Sequence, residues 1–303
     1  MSFIYNMELQ RFLCFVRIIK ISLKRVMYRS NKIPLKETCH GMLTRSMPLT
    51  IPFTFMGVWG LLQKDGEKAV TVTAKDLLLT KADTLFEHGK YQEVYDLLNK
   101  YRDEQDVEIL WRLSRCLYKM SKTKKDYEAK KLIYEGYELI SLALSIKEDH
   151  YAVHKWVCVL LDSKSSYEGM KERIKQLNTV KNHMLRAIEL NPNDSTTLYM
   201  LGNWCFQVTS LSWYQRKLAS ALFGEPPTSS YEEALMYFKR AEEISPQFYS
   251  QNLLMLAKTY LKLKREEEAH KYLKLAAEYP VKCSDDHEAK QEARKLMSGY
   301  ESA

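Results

Sequence analysis

His150 and His154 in HYAVH stand four residues apart, a spacing that puts two imidazoles on one face of a helix. Metal sites use that spacing, but a zincin pair also needs a glutamate directly after the first histidine. Tyr151 stands there instead, and no third ligand is evident. A histidine pair divided between surface and core fits better, so no metal is expected. Paired acids such as Glu232-Glu233 and Asp285-Asp286 fall at helix starts, where the helix dipole favours negative charge. The chain has no P-loop, no GxGxxG after a strand and no GxSxG elbow. Neither a catalytic residue nor a cofactor site is expected, and the sequence makes no case for an enzyme. Cys14, Cys39, Cys116, Cys158, Cys205 and Cys283 are scattered without a CxxC pair. Cys116, Cys158 and Cys205 sit on apolar helical phases, where a free thiol acts as a small hydrophobe, as in a reducing compartment.

The charge balance narrows the partners. The 303 residues carry a net charge of +8. Residues 1–70 hold eleven of the Lys/Arg and four of the acids, so the remainder is close to neutral. Without a global basic field, no nucleic-acid partner is expected.

The basic excess lies in an N-terminal segment, residues 1–47. There FLCFVRIIKISLKRVM spaces Phe12, Phe15, Val16, Ile19, Leu23 and Val26 at helical intervals, with Arg17, Lys20, Lys24 and Arg25 between them. This is the composition of a mitochondrial targeting segment or an interfacial helix. A disordered start, with Met7 or Met27 as initiator, is the alternative. Residues 48–70 begin with PLTIPFTFMGVWGLL, uncharged over residues 48–62 but shorter than the ~20 residues that span a bilayer. It reads either as a marginal membrane anchor or as a segment packed on the first repeat.

From residue 71 onward the spacing is helical and recurrent. In RAIELNPNDSTTLYMLGNWCF, Ala187 takes the small position of a second helix, Pro192 ends the unit, and Leu201-Gly202 lie inside the next first helix. The same grammar returns with Ala234, Phe238, Ala241 and Pro246, followed by Leu256, Ala257 and Tyr260, and earlier with Ala82, Leu85, Gly89, Tyr91 and Leu98. Ser230 and Glu233 are spaced as a capping box. The expected fold is all-α: a tetratricopeptide-like α-solenoid of about five degenerate helical hairpins, closed by a C-terminal capping helix. An insertion at residues 206–230 breaks the period, and within it SWYQRKLASALFGEPPTSS predicts a short amphipathic helix ended by Gly224 and Pro226-Pro227.

The block WYQRKLASALFGEPPTSSYEEALMYFKRAEEISPQFYSQNLLMLAKTYLKL, with HKW, YEGMKERI and RAIELNPND upstream, resembles the regulator of microtubule dynamics protein family over about residues 70–285. The short length and the lack of a heptad run before the repeats look most like the first, short member of that family. The resemblance implies a non-enzymatic protein associated with microtubules, spindle poles and cytoplasm, and with mitochondria. It also implies a lipid-holding alternative, since a longer relative holds phospholipid in its repeats and tethers organelles through an acidic-flanked double phenylalanine, which this sequence lacks.

A solenoid binds through the concave wall of its first helices. By helical phase Lys155, Tyr199, Asn203, Phe206 and Lys258 face that wall, and Trp213, Tyr214 and Arg216 of the insertion stand at its end. Such a lining suits a peptide or an anionic phospholipid. Tubulin would instead be met through basic clusters such as KTKK at 122–125 and LKLKR at 261–265. Membrane association would rest on the N-terminus.

Overall fold

The computed structural model describes residues 73–223, 227–282 and 284–301. Both N-terminal segments, Cys14, Cys39 and Cys283 lie outside the described residues. The described chain folds as α1 (Ala74–Glu87), α2 (Tyr91–Leu98), a 3-10 turn (Asn99–Glu104), α3 (Val107–Ser121) and α4 (Asp126–Ile146). It continues through α5 (Tyr151–Glu168), α6 (Met170–Lys175), α7 (Leu177–Leu190), α8 (Ser195–Thr209) and α9 (Trp213–Phe223). The last elements are α10 (Tyr231–Ile244), α11 (Ser250–Lys262), α12 (Glu266–Glu278) and α13 (Ser284–Glu301).

The chain punctuates these helices with caps. Thr73 and Asp76 form a reciprocal capping box at α1, and Asp106 accepts from the Glu108 amide at 2.9 Å at α3. Gly169 at φ 103° ends α5, a conformation that favours a residue without Cβ. At α10 only half of the expected box forms. Ser230 Oγ accepts from the Glu233 amide at 3.1 Å, whereas the Glu233 carboxylate accepts from Ser229 Oγ at 2.6 Å and Lys181 Nζ at 3.1 Å. The inserted segment is also shorter than its expected 206–230, because α8 continues to Thr209. An apolar continuation, with Phe206 and Val208 both buried, extends the helix.

Packing follows the hairpin grammar. α1/α2, α3/α4, α5/α7, α8/α10 and α11/α12 pair as first and second helices, and each pair packs on the next. α13 closes the stack: Ala289 and Ala293 meet Leu253, Ala257 and Leu273 while its other face stays polar. The tetratricopeptide-like solenoid is therefore built from hairpins that bury their apolar faces on one another. Each first helix contributes one small residue at the close approach: Ala82, Ser114, Cys158, Gly202 and Ala257, of which the four with side chains have no exposed surface. At Gly202 a Cβ would stand 2.7 Å from Phe238 Cδ1, which makes glycine the residue that lets α8 approach α10.

Candidate partner-binding wall and edge

Counting from the small residue gives the inner wall. Residues three before, one after and four after it share a helical stripe. On α3 these are Trp111, Arg115 and Tyr118; on α5, Lys155, Val159 and Asp162; on α8, Tyr199, Asn203 and Phe206. Each is at most 9% exposed, as is Leu254 on α11. The sequence leads one to expect an open groove floor here; the structure encloses it.

Charges on this wall are matched across neighbouring helices. Arg115 Nη2 donates to Asp83 Oδ1 of α1 at 2.5 Å, and its guanidinium lies 3.8 Å from the Phe86 ring centroid. Arg112 joins Asp83 to Glu108, whose Oε1 accepts from His150 Nε2 at 2.8 Å. That His150 bond, outweighing burial and joined by Trp111 and Arg112, holds the Glu108 carboxyl well below its ordinary range. Lys155 donates to Asp194 at 2.9 and 2.7 Å. Burial raises the Asp194 pKa, but Lys155 and Thr197 outweigh it and hold the group ionised. Asp162 receives Arg173 of α6 at 2.9 and 3.2 Å, with both side chains almost fully enclosed. Removing one member of such a buried pair strands the other.

The expected site residues therefore separate into three groups. Lys155, Tyr199, Asn203 and Phe206 belong to the enclosed wall. Tyr199 is held between Phe238 and Tyr249, with centroids at 5.8 and 5.0 Å, so its ring serves hairpin packing. Lys258 lies at the C-terminal end and pairs with Glu292 of α13. Trp213 and Arg216 sit on α9, away from the floor. Trp213 is 74% exposed, and Arg216 donates to the Thr209 and Leu211 carbonyls at 3.3 and 3.4 Å. The Tyr214 side chain lies outside the described residues. His150 and His154 do not act as a pair. His150 stands at the N-cap position of α5 without a side-chain capping bond and turns its ring to Glu108, while His154 Nδ1 meets His183 Nδ1 of α7 at 2.8 Å. Among the described residues no cluster of three metal-ligating groups forms.

Sequence reading passed over Asp83, Glu108, Trp111, Arg115 and the Asp162–Arg173 pair. Extending the small-residue register of Gly202 back to Ala82, Ser114 and Cys158 finds Asp83, Trp111, Arg115 and Asp162, whereas Glu108 and Arg173 lie off that register.

A second feature lies at one edge. First helices run in a common direction along the stack, so every first-to-second connection emerges on the same side. That side carries Lys122–Lys125 between α3 and α4, the inserted α6 and α9, which touch each other, and Lys264-Arg265 between α11 and α12. Around its middle stand Lys124, Lys125, Lys130, Lys131, Lys171, Lys175 and Lys217, all exposed. Asp126, Glu128, Glu168 and Glu172 are acids on the same side, and Glu128 and Glu172 pair with Lys124 and Lys175. Lys217 approaches the exposed Trp213 ring to 5.0 Å.

Residues 78–301 match the family described as Regulator of microtubule dynamics protein 1-3. The chain is similar to Regulator of microtubule dynamics protein 1 of Mus musculus, 42% identical over 234 residues and 76% of each chain. It is also similar to Regulator of microtubule dynamics protein 3 of Xenopus laevis, 37% identical over 76% of this chain and 52% of that longer relative. Among solved structures, a thermophilic TPR protein of Thermus thermophilus aligns with a TM-score of 0.49 and 19% identity, over 73% of this chain and 98% of that one.

Proposed function

The chain belongs to the regulator of microtubule dynamics protein family, and from that premise we propose that it is a non-enzymatic adaptor that meets microtubules through its basic edge. The observation that supports this is the convergence of the 122–131 lysines with those of α6 and α9 on one side of the stack. Tubulin's surface is acidic, and a local cationic strip gives salt-dependent attraction without a large net charge on the domain. The inner wall is then the adaptor's second surface. Its stripe of aromatic, amide and paired ionic groups suits an extended uncharged peptide. Mitochondrial association and spindle localisation would be conferred outside the described repeats.

Co-sedimentation of the full chain with microtubules over a salt series tests this reading. Pelleting at low salt should fall steeply between about 50 and 200 mM salt. The triple variant Lys124→Glu, Lys125→Glu, Lys131→Glu should weaken pelleting at least tenfold. Equal pelleting by the variant, or none by the parent at low salt, would refute it.

An anionic phospholipid on the wall is the competing reading. Arg115 and Lys155 already have carboxylate partners there, so a phosphate headgroup would have to displace Asp83 or Asp194. Lipid extraction and mass spectrometry of the purified protein decide it.

A further inference from the structure

The basic edge carries more than lysines. Tyr127, 83% exposed, and Trp213 are the two most exposed large apolar side chains among the described residues. A single ring in water is ordinary on a protein surface. Here both stand on one edge, each within a helical turn or so of exposed lysines: Lys124, Lys125, Lys130 and Lys131 around Tyr127, and Lys217 beside Trp213. Accessible Tyr and Trp flanked by cations are the usual anchors of a recognition surface.

The two rings belong to one strip. Tyr134 of α4 donates to Glu168 at the end of α5 at 3.3 Å, α6 follows directly, and α6 touches α9. Passing from α4 by way of α6 to α9 takes two interhelical steps, roughly 20 Å. The charges along it are unevenly satisfied. Glu128, Glu168 and Glu172 pair with Lys124, Lys164 and Lys175. Lys125, Lys130, Lys131, Lys171 and Lys217 form no ion pair among the described residues, and Asp126 is the acid left to set against them.

We propose that this strip takes an extended, glutamate-rich peptide, with Tyr127 and Trp213 as the rings on which its backbone and side-chain stems rest. The proposal rests on the adaptor reading and narrows the microtubule contact to flexible acidic segments of that surface.

The geometry favours a peptide over a broad acidic face or a planar anionic membrane. Either plane would press on Asp126, Glu128, Glu168 and Glu172 together with the lysines, and like charges so opposed repel. An extended chain is one residue wide and can follow the unpaired lysines past those acids. Lys217 lies 5.0 Å from the Trp213 ring centroid, so a carboxylate that meets its ammonium brings an apolar stem against the ring.

Fluorescence anisotropy of a labelled oligo-glutamate peptide tests this with the full chain. About ten residues, at ~3.3 Å each, more than cover the strip. Binding should appear at low salt, weaken as salt rises, and be absent for an oligo-glutamine peptide of the same length. Tyr127→Ala and Trp213→Ala should each weaken it about three- to tenfold, whereas Tyr127→Phe and Trp213→Phe should retain most of it. Both side chains are exposed, so near-unchanged far-UV dichroism is expected for all four variants. No binding at low salt, equal binding by the alanine variants, or retention on phosphatidylserine–phosphatidylcholine vesicles in place of the peptide would each overturn the proposal. Because the peptide assay involves no microtubules, its failure beside normal pelleting sinks only the peptide site. Absence of pelleting beside intact peptide binding sinks only the adaptor reading.

Discussion

Substituting Gly202 by alanine sets two effects of known sign against each other. In an exposed helix interior the change is favourable by about 1 kcal/mol, because alanine gives up less backbone entropy on folding than glycine. Here the added Cβ would stand 2.7, 2.8 and 3.0 Å from three carbons of Phe238, against about 3.5–4.0 Å for an ordinary carbon contact. Phe238 has no exposed surface, and Tyr199 blocks its retreat at a centroid distance of 5.8 Å. Either α8 and α10 move apart or the ring leaves its preferred rotamer, at a cost of about 1–3 kcal/mol. With contacts this short the packing cost should win, for a net loss of up to about 2 kcal/mol. In a domain of this size that lowers the melting temperature by up to about 8 °C. Gly136→Ala is the control. Its nearest neighbour is Leu160 Cδ2 at 3.2 Å, the end of a side chain that can turn aside, so that variant should be neutral to about 1 kcal/mol more stable. Urea and thermal unfolding of both variants provide the comparison. In a double-mutant cycle, Phe238→Leu should cost less on the Gly202→Ala background than alone. A Gly202→Ala protein more stable than the parent would refute the close approach of α8 and α10.

Other consequences follow from buried groups. Asp162→Asn should destabilise by about 3–5 kcal/mol by removing the charge that Arg173 meets in a buried pair, while Asp162→Leu with Arg173→Met should recover most of the loss; a single-variant cost under about 1 kcal/mol would contradict the pairing. Burial, reinforced by His154, pushes the His183 pKa down to about 4, and burial also lowers that of His154, which faces Glu148, Asp149 and Arg186. The unfolded chain therefore binds more protons than the folded one between the ordinary histidine range and about pH 4, so stability should fall as pH drops through that window. The urea midpoint should follow, with a shallower slope in His183→Gln; a flat midpoint in the parent would contradict this. Burial pushes the Cys116 and Cys205 thiols up to about 12, and that of Cys158 further. With Cys14, Cys39 and Cys283 changed to Ser, a thiol reagent should label the native protein only on unfolding; fast labelling would show the first helices to be open.

The hairpin grammar was readable because close packing leaves a local trace. Gly202 and Ala257 are small for the same physical reason, and Asn191-Pro192 stops α7 where the chain must turn. What escaped sequence reading depended on tertiary neighbours. Helical phase placed Tyr199 on the wall but not inside an aromatic cluster with Phe238 and Tyr249, since those rings come from α10 and the turn before α11. His150 and His154 satisfied a spacing rule, yet His150 forms the N-cap, its partner Glu108 lies on α3, and His183 comes from α7. The basic edge was visible only as separate clusters. Its continuity follows from the common direction of the first helices, which no local stretch encodes.

The account is tested most directly by zero-length carboxyl–amine cross-linking of the full chain on assembled microtubules, with linked lysines identified by mass spectrometry. It predicts links from Lys124, Lys125, Lys131, Lys171, Lys175 and Lys217 on the first-to-second edge, and few from Lys100 or Lys147 on the opposite edge. Links concentrated on Lys100 and Lys147, or spread evenly over both edges, would contradict it.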